Sequence, residues 1–276
     1  MVRSIDDGEF SVLVCDSCGL GVTDPIPGDL APYYENYYGG RHSFSANHRA
    51  KRRLARVRQF VDNGRILDIG YGEGTFLIEA VKAGFECVGV ERNRRGDEPF
   101  LTFVDLGDVA GKFDAITMWH SLEHMTEPDT MLDRINILLK DDGSLFIAVP
   151  NFGGRQAQLF GRDWLHLDLP RHLFHFTPQS LRSLLEKHGF TVTDTWHHES
   201  EYDIMGWSQS ILNKLTGTRN VYFNTLTGKE TSAGALSKVA HFVAGSVLST
   251  FATPLVLLDI VTKRGGTLVV RATKNS

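Results

Sequence analysis

The chain has 276 residues, which exceeds the size of a typical single domain and suggests one large domain or a core domain with an insertion. Hydrophobic residues make up 42% and charged residues 22% of the chain, and these values exclude a disordered, collagen-like or disulfide-dense protein. The net charge of -4 provides no overall basic field, so we predict no nucleic-acid partner.

The cysteine content and the start of the chain both indicate the cellular compartment of the protein. Cys15, Cys18 and Cys87 are too few for a disulfide framework in a chain of this length. The opening sequence MVRSIDDGEF contains no apolar run of the kind found in a signal peptide. We therefore expect a cytoplasmic protein.

The first part of the chain, residues 1–47, is predicted to be an accessory segment because it is rich in turn-forming residues and tyrosines. Tyr33, Tyr34, Tyr37 and Tyr38 either form a lid over a ligand pocket or simply pack together.

A basic amphipathic helix is predicted at 49–58. Ala50, Leu54, Val57 and Val61 recur at helical spacing, and arginines and lysines fill most of the intervening positions. The simplest interpretation of the basic residues is a solvated helix face.

Short apolar runs then alternate with helical patterns, which predicts right-handed crossovers and a mostly parallel sheet covered on both faces. The predicted strands are Arg65–Ile69, Cys87–Val90, Leu101–Val104, Phe113–Met118, Leu145–Val149, Thr191–Trp196 and Thr267–Thr273. The predicted helices are Thr75–Ala83, Pro128–Leu139 and Pro178–His188. We expect Asp141-Asp142-Gly143 to end the second helix before the fifth strand, and Thr177 and Gly189 to delimit the third helix.

This pattern assigns 48–199 to a core domain, 200–264 to a helical insertion and 265–276 to the final core strand. The insertion contains Val239–Leu258, a stretch without Asp, Glu, Lys or Arg. Three interpretations remain open for this stretch: a buried helical pair, an amphipathic element lying on a surface, or a membrane span.

A glycine-rich loop follows the first core strand. In Asp68-Ile69-Gly70-Tyr71-Gly72-Glu73-Gly74-Thr75, the glycines permit a tight turn and let a ligand approach the backbone at the start of a helix. A dinucleotide fingerprint would need glycine where Thr75 stands, which weakens that interpretation.

Two carboxylates accompany the loop. Glu91 ends the next strand, where it can accept two hydrogen bonds from a ribose diol. Asp68 precedes the loop and can hold a cationic or amine-bearing ligand that a pyrophosphate binder would repel.

These residues resemble motifs I and II of the class I S-adenosylmethionine-dependent methyltransferases. The segments 113–125 and 138–143 resemble the family's fourth- and fifth-strand motifs, and 170–177 resembles a motif of its small-molecule branch. The resemblance implies a Rossmann-like, doubly wound α/β fold with a seven-stranded sheet, mostly parallel with an antiparallel last strand, plus the helical insertion. It covers about half of the chain.

The resemblance also implies where S-adenosylmethionine binds. The methionine end would be lined by Asp68, Gly70, Tyr71, Gly72 and Gly74. Glu91 would hold the ribose, and the adenine would lie near Asp105 and Leu106. The cofactor would be covered by Trp119 and His120. Asp105 has an alternative role as a helix cap. The segment 91–100 is too short for the usual crossover helix, so the adenine side is predicted to be more open than in the family.

Candidate catalytic residues follow the fourth and fifth core strands. Methyl transfer depends mainly on alignment and needs a base only when the acceptor carries a proton. The candidates are His120, Glu123, His124, His172 and His175. Structural, acid–base and metal-binding roles remain open for this group, since ubiquinone-type O-methyltransferases, which this loop resembles, use a divalent ion there.

A separate pair, Cys15 and Cys18, resembles one knuckle of the zinc-binding segment found at the N-terminus of some sugar and natural-product methyltransferases. A second cysteine pair is missing, so the segment is either a remnant of such a site or binds a zinc ion or another divalent metal with a further ligand such as His42 or His48.

The sequence thus predicts an S-adenosylmethionine-dependent methyltransferase that acts on a small-molecule acceptor, such as a sugar, a quinone-like or a lipid-linked compound, with O-methylation favoured. The alternatives are a regulatory protein that binds the cofactor without turnover and a nicotinamide-dependent oxidoreductase, which Thr75 opposes. The basic helix and 239–258 together suggest peripheral contact with the inner face of the membrane. The oligomeric state stays open.

Overall fold

The computed structural model describes residues 2–6, 8–34, 44–94 and 96–275. The strands are β1 (Val2–Asp6), β2 (Ser11–Val14), β3 (Gly21–Asp24), β4 (Arg65–Ile69), β5 (Glu86–Val90), β6 (Leu101–Phe103), β7 (Phe113–Trp119), β8 (Leu139–Pro150), β9 (Phe174–His175), β10 (Phe190–Trp196) and β11 (Thr267–Lys274). The helices are α1 (Ala31–Tyr34), α2 (Phe44–Val57), α3 (Thr75–Lys82), α4 (Pro128–Leu138), α5 (Arg155–Phe160), α6 (Pro178–Lys187), α7 (Ser200–Thr216), α8 (Val221–Thr227) and α9 (Ala235–Val261).

The chain divides into two compact units. The core unit contains His42–Val149, Leu181–Thr195 and Val269–Ser276. The accessory unit contains Met1–Arg41, Pro150–Ser180 and Trp196–Leu268. Residues 150–180, which the sequence pattern groups with the core domain, thus cluster with the accessory unit.

The core unit is built on a seven-stranded sheet with the order β10-β11-β8-β7-β4-β5-β6. β4, β5, β6, β7 and β8 pair in parallel, and the last strand is antiparallel. The central strands are apolar and buried, as in Ile66, Leu67 and Ile116, because helices cover both faces of such a sheet. The predicted Rossmann-like fold class is confirmed.

The predicted strands and helices agree with the structure except at the start of β8. The residues Asp141-Asp142-Gly143 lie inside this strand and do not separate it from α4, so that prediction is wrong. The register jumps from Leu139 opposite Phe113 to Ser144 opposite Ala115. The turn-forming residues are accommodated as an irregularity of the strand between these two paired positions.

Helix boundaries follow the local chemistry. The Oγ1 atom of Thr177 accepts a hydrogen bond from the Ser180 backbone at 3.1 Å, as predicted for the cap of α6, and Gly189 follows the helix with a φ of +79°. The basic helix α2 buries Ala46, Ala50 and Leu54 on one face. The described residues between β5 and β6, 91–94 and 96–100, contain no helix, in agreement with the predicted short crossover.

The accessory unit contains a four-stranded sheet with the order β1-β2-β3-β9. The backbone carbonyl of Tyr33 accepts a hydrogen bond from Arg171, and its ring lies edge-on to Phe10 at 6.0 Å. Of the other residues considered for a lid or a metal site, Tyr37, Tyr38 and His42 lie outside the described residues. The lid therefore stays a prediction.

The predicted insertion forms α7, α8 and α9. Helix α9 is long and apolar enough to cross a membrane by length and composition, and only 22% of its most apolar window is buried. A buried helical pair therefore describes only the inner stripe of this stretch, and the surface-lying and membrane-spanning interpretations stay predictions. One stripe of α9 packs against α7 and α8, and the rest of the helix surface is exposed.

Candidate active site

The candidate site lies at the carboxyl ends of four parallel strands in the core unit. β4 is placed between β7 and β5, so the chain reverses its direction of winding at the β4–β7 junction. Ligands of open α/β sheets bind outside the carboxyl ends of the strands at such a point. The loops after β4, β5, β6 and β7 carry most of the predicted site residues of this unit.

The glycine loop after β4 needs its glycines for two different reasons. Gly70 has a φ of +73°, and a Cβ there would lie 2.6 Å from the Cβ of Ser121, so no other residue fits. Gly72 has a φ of +56°, and a Cβ there would meet nothing within 4 Å. The backbone of Gly72 is therefore open to a ligand, while Gly74 leads into α3 without a side-chain cap.

Glu91 links the loop to the end of β5. One of its carboxylate oxygens accepts a hydrogen bond from the Gly72 backbone at 3.0 Å, and the other accepts from the Asn93 backbone at 3.2 Å. Each carboxylate oxygen has a second lone pair. Glu91 is thus held in place by the backbone and can still accept hydrogen bonds from a diol.

Tyr71 fills the space between the loop and the short crossover. Its hydroxyl donates to Glu98 at 2.8 Å, and its ring lies edge-on to Phe100 at 5.3 Å. A Cβ at Gly89 would lie 2.5 Å from the Tyr71 ring, so the ring occupies the room that this glycine leaves. Burial, followed by the hydrogen bond to Glu98, raises the pKa of Tyr71 well above its usual value.

Asp68 is buried beneath the loop. It accepts a hydrogen bond from the Thr117 hydroxyl at 2.7 Å. Burial raises the pKa of Asp68 to about 7, an effect that the Thr117 hydrogen bond and the positive charge of Arg53 partly oppose. The carboxyl group therefore changes charge near neutral pH.

Trp119, at the end of β7, is surrounded by aromatic and cationic groups. The Arg53 guanidinium lies 4.9 Å from the centre of its ring, and Phe76 lies edge-on at 5.5 Å. Trp119 is buried, yet its Nε1 atom has no hydrogen-bond partner among the described residues. A buried indole N–H without a partner is uncommon and is typical of a position that a ligand completes.

His120 has an unusual backbone conformation. Its φ is +56°, and its amide donates to the Ala148 carbonyl at 2.9 Å, so β8 holds the strained turn in place. Its Nδ1 atom lies 3.6 Å from the Glu123 carboxylate, which is 1% exposed. The backbone N–H of His124 donates to the Ser121 carbonyl at 3.1 Å, and a ring nitrogen of His124 also lies within 4.8 Å of the Glu123 carboxylate. The structure thus brings both of these predicted histidines close to Glu123, with His120 at 3.6 Å.

Asp105 and Leu106 follow β6. The Asp105 carboxylate accepts a hydrogen bond from the Gly107 backbone at 2.6 Å and caps a short helix at Leu106–Asp108, which is the alternative role that the sequence suggested. Asp105 is exposed, and Leu106 is buried.

The histidines that follow the fifth core strand belong to the accessory unit. His172 is buried, with its Nδ1 atom 2.9 Å from the His166 carbonyl. His175 is buried in β9, with its Nε2 atom 3.1 Å from the Thr23 hydroxyl. These contacts within the accessory unit are typical of structural histidines.

Cys15 and Cys18 lie in the turn between β2 and β3, and both are free thiols. The turn is closed by backbone hydrogen bonds from Cys15 to Leu20 and from Gly19 to Cys15. The Ser17 hydroxyl, 3.0 Å away, together with nearby backbone groups lowers the pKa of Cys15 to about 7. Across residues 2–6, 8–34, 44–94 and 96–275, no third side chain completes a metal site with this pair, whereas structural zinc takes four ligands.

A comparison with protein families identifies the class of protein. The model of a family described as "Methyltransferase domain" matches residues 42–195, which is more than half of the chain. The chain belongs to this methyltransferase family. Membership confirms the predicted enzyme class and its methyl donor, S-adenosylmethionine. The alternatives of a binding protein without turnover and of an oxidoreductase are thereby set aside.

Several curated relatives of this methyltransferase share one name. The ubiquinone biosynthesis O-methyltransferase of Bartonella tribocorum is 23% identical over 175 residues, which cover 52% of this chain and 71% of the relative. The enzyme of the same name from Xanthomonas axonopodis pv. citri is 25% identical over 152 residues, which cover 47% of this chain and 64% of the relative.

Solved structures show the same fold. The 1,6-didemethyltoxoflavin-N1-methyltransferase of Burkholderia thailandensis, with bound 1,6-didemethyltoxoflavin and S-adenosylhomocysteine, matches all of both chains with a TM-score of 0.54 and 16% identity. An S-adenosylmethionine-dependent methyltransferase from Archaeoglobus fulgidus has a TM-score of 0.52 and 20% identity, covering 89% of this chain and 100% of that chain.

The residues of the methyltransferase site fit its cofactor. The open backbone at Gly72, the spare lone pairs of Glu91 and the Nε1 atom of Trp119 offer acceptors and donors to a polar ligand. Asp68 supplies negative charge for a cationic ligand once it is ionised.

Sequence analysis missed three residues of this site. Arg53 was assigned to a solvated helix face, whereas it lies over Trp119. Thr117 hydrogen-bonds to Asp68, and the Ser121 hydroxyl donates to the Ile69 carbonyl at 2.7 Å. Thr117 was detectable as the hydroxyl-bearing residue within the otherwise apolar core of β7, but the partner of Arg53 lies too far along the chain to be recognised.

Proposed function

We propose that this methyltransferase transfers a methyl group to an oxygen atom of a small molecule, with His120 as the general base and Glu123 as its positioning residue. The observation that carries this proposal is the His120–Glu123 pair. A buried carboxylate 3.6 Å from the ring, on a residue whose backbone is held in a strained conformation, is typical of an oriented catalytic histidine.

We also propose the residues that hold the cofactor. Bound S-adenosylmethionine supplies an electrophilic methyl group on a sulfonium. Gly70 and Gly72 present backbone to it, Glu91 accepts from its ribose hydroxyls, and Trp119 donates through Nε1. Asp68, Tyr71, Gly74, Asp105 and Leu106 complete the proposed set.

The chain's own contribution is alignment and proton removal. The acceptor hydroxyl gives its proton to the imidazole of His120 as its oxygen forms a bond to the methyl carbon, and the carbon–sulfur bond breaks with its electron pair returning to sulfur. The imidazolium that forms lies beside the Glu123 carboxylate, whose negative charge stabilises it in a buried setting. The proton then passes to solvent.

The acceptor class is suggested by the curated relatives. They are named as O-methyltransferases of ubiquinone biosynthesis, which supports an acceptor with a phenolic or quinol hydroxyl group. A phenolic hydroxyl has a pKa near 10, so a neutral histidine can remove its proton as the new bond forms. Sugar hydroxyls and lipid-linked phenols belong to the same oxygen class.

The test is methyl transfer from labelled S-adenosylmethionine to matched acceptors: a catechol, the corresponding aromatic amine, a sugar and a lipid-linked phenol, with products identified by mass spectrometry. We expect methylation of oxygen. His120→Gln should lower kcat by about 10²- to 10⁴-fold while the affinity for S-adenosylhomocysteine is largely kept. Glu123→Gln should lower kcat less and move the pH profile to lower pH, because the imidazole loses the anion that raises its basicity.

His48→Gln is the matched control, since His48 is exposed on α2 and should leave kcat and the pH profile unchanged. Methylation of only the amine, or full activity of His120→Gln on a hydroxyl acceptor, would contradict the proposal. Circular dichroism identifies a variant that has lost activity through unfolding.

A further inference from the structure

Helix α9 has an inverted distribution of polar and apolar residues. In soluble proteins a surface helix buries its apolar stripe and exposes its polar one. Here the buried stripe includes His241, Gly245 and Asp259, whereas Val239, Val243 and Phe251 of the same helix are exposed by 60%, 57% and 70%.

The inward polar groups of α9 are all engaged within the accessory unit. Asp259 accepts from Arg155 at 2.6 Å and from the indole N–H of Trp207 at 2.9 Å. His241 contacts the Ser237 carbonyl at 2.8 Å. Ser249 donates to the Ser208 hydroxyl of α7 at 3.1 Å. The polar side of the helix is therefore built to face protein.

Small residues bring the helices close together on this side. A Cβ at Gly245 would lie 2.4 Å from the Tyr222 ring of α8, and Ala252 is buried against α7 beside Trp207. Close packing through small residues, with hydrogen bonds across the helices, is the pattern of helices whose other side faces lipid.

The outward side of α9 offers nothing but apolar and weakly polar groups. Val239–Leu258 contains no Asp, Glu, Lys or Arg. At about 1.5 Å per residue, the 27 residues of the helix span roughly 40 Å. This surface therefore lacks the charged groups that would be costly to place in lipid.

Basic residues mark both ends of this surface. Lys238 lies at the start of α9 and Lys263 just beyond its end, where it is exposed. Of the four acidic residues in 200–264, Asp203 and Asp259 are buried. The exposed charge of the insertion is therefore mainly positive although the whole chain has a net charge of -4, which complements an anionic lipid surface.

We infer that the outward side of α9, defined by Val239, Val243, Val247, Phe251 and Leu258, lies on an anionic membrane surface with the helix parallel to the bilayer. A parallel orientation is expected because α9 packs against α7 and α8, and the end of α7 carries the exposed polar residues Lys214 and Thr216. An apolar strip flanked by cations is the pattern of an interfacial helix. The inference does not depend on the acceptor proposed above.

The test is co-sedimentation of the full chain with vesicles of phosphatidylcholine, with and without phosphatidylglycerol. We expect binding to the anionic vesicles. The double variant Val243→Glu/Phe251→Glu should weaken it by at least about tenfold, because two apolar side chains no longer enter the lipid. Ile137→Glu, which replaces a similarly exposed apolar residue on α4, is the matched control and should bind as the wild type does.

A second pair of measurements separates the charge from the apolar contribution. Lys238→Glu/Lys263→Glu should reduce the preference for anionic over neutral vesicles, and about 1 M salt, where the Debye length falls to about 3 Å, should do the same in the wild type. A spanning helix would resist salt and alkaline extraction.

Three results would overturn the inference. The wild type could remain in the supernatant with anionic vesicles, or Val243→Glu/Phe251→Glu could bind unchanged. Light scattering could instead show a dimer that this double variant dissociates, without vesicle binding, and the surface would then belong to a second copy. Binding of S-adenosylhomocysteine to each variant verifies that the chain is folded.

Discussion

At the scale of single residues, Glu91 has its position determined by two backbone hydrogen bonds, from Gly72 and Asn93. Both donors are main-chain groups, so the carboxylate is oriented without relying on other side chains. A preorganised acceptor of this kind loses little conformational entropy when a ligand binds.

We expect Glu91→Ala to weaken S-adenosylmethionine binding by about 10- to 100-fold, because charged hydrogen bonds to the ribose contribute about 1.5–3 kcal/mol. Calorimetric titration measures the change. Glu86→Gln, at the exposed opposite end of β5, is the control and should bind normally. Equal affinity of Glu91→Ala and the wild type would place the ribose elsewhere.

Asp68 predicts a pH dependence of cofactor binding. Because its pKa is raised to about 7, the ionised form that attracts a sulfonium or ammonium increases as the pH rises from about 6 to 8. Affinity measured by titration should rise over this interval, and Asp68→Asn should remove the slope.

Stability should change in the opposite direction. The folded-state pKa of Asp68 lies above the unfolded value of about 3.9, so the free energy of unfolding should fall as the pH rises from about 4 through 7. Urea denaturation of the wild type and Asp68→Asn at several pH values measures this. A parallel dependence in both proteins would contradict the assignment.

At the scale of elements, α4 and the end of α6 are joined by one histidine of the core unit. The Nδ1 and Nε2 atoms of His188 lie 2.6 Å and 2.8 Å from Asp133 and Asp129. Both ring nitrogens can donate only when the imidazole is protonated. Burial opposes the charged form, but the hydrogen bonds to the two carboxylates raise the pKa of His188 above its usual value.

His188→Gln should therefore destabilise the protein below the unfolded histidine pKa of about 6.5, by about 1 kcal/mol or less because both carboxylates are exposed. The contribution is present at low pH and is lost as the pH rises through the raised folded-state pKa. Thermal unfolding of the wild type and of His188→Gln at about pH 6 and pH 9 measures the difference in stability at each pH. An equal difference at both values would mean that packing, not charge, is responsible.

At the scale of the whole molecule, the sheet order brings the loops after β4, β5, β6 and β7 to one edge of the core unit. Their side chains come from positions as far apart in the chain as Asp68 and Glu123. A ligand that contacts several of these loops stabilises the folded chain as a whole, because the unfolded chain cannot form the site.

S-adenosylhomocysteine at about 100 times its dissociation constant should raise the melting temperature by roughly 5–10 °C, corresponding to about 2.7 kcal/mol in a chain of this size. Scanning fluorimetry measures the shift. Glu91→Ala should show a much smaller shift at the same concentration, and NADH should produce none. A shift with NADH would contradict the assignment of the pocket.

The sequence alone determined the features that depend on neighbouring residues. Strand and helix periodicity, the glycine loop and the carboxylate at the end of the next strand are local patterns. They predicted the fold class and the short crossover before β6, and they carried the family resemblance that implied the cofactor. Asp141-Asp142-Gly143 shows the limit of local chemistry, because pairing with β7 keeps these turn-forming residues within β8.

Only the tertiary structure decided which distant residues meet and which side of an element is buried. Arg53 lies over Trp119, 66 positions further along the chain, and nothing in the local sequence specifies that contact. The turn after β7 brings both His120 and His124 close to Glu123, an arrangement that their spacing in the sequence does not specify. The sequence of 239–258 does not distinguish a buried helix from an exposed one, because hydrophobicity depends on the composition of a helix and not on what covers it.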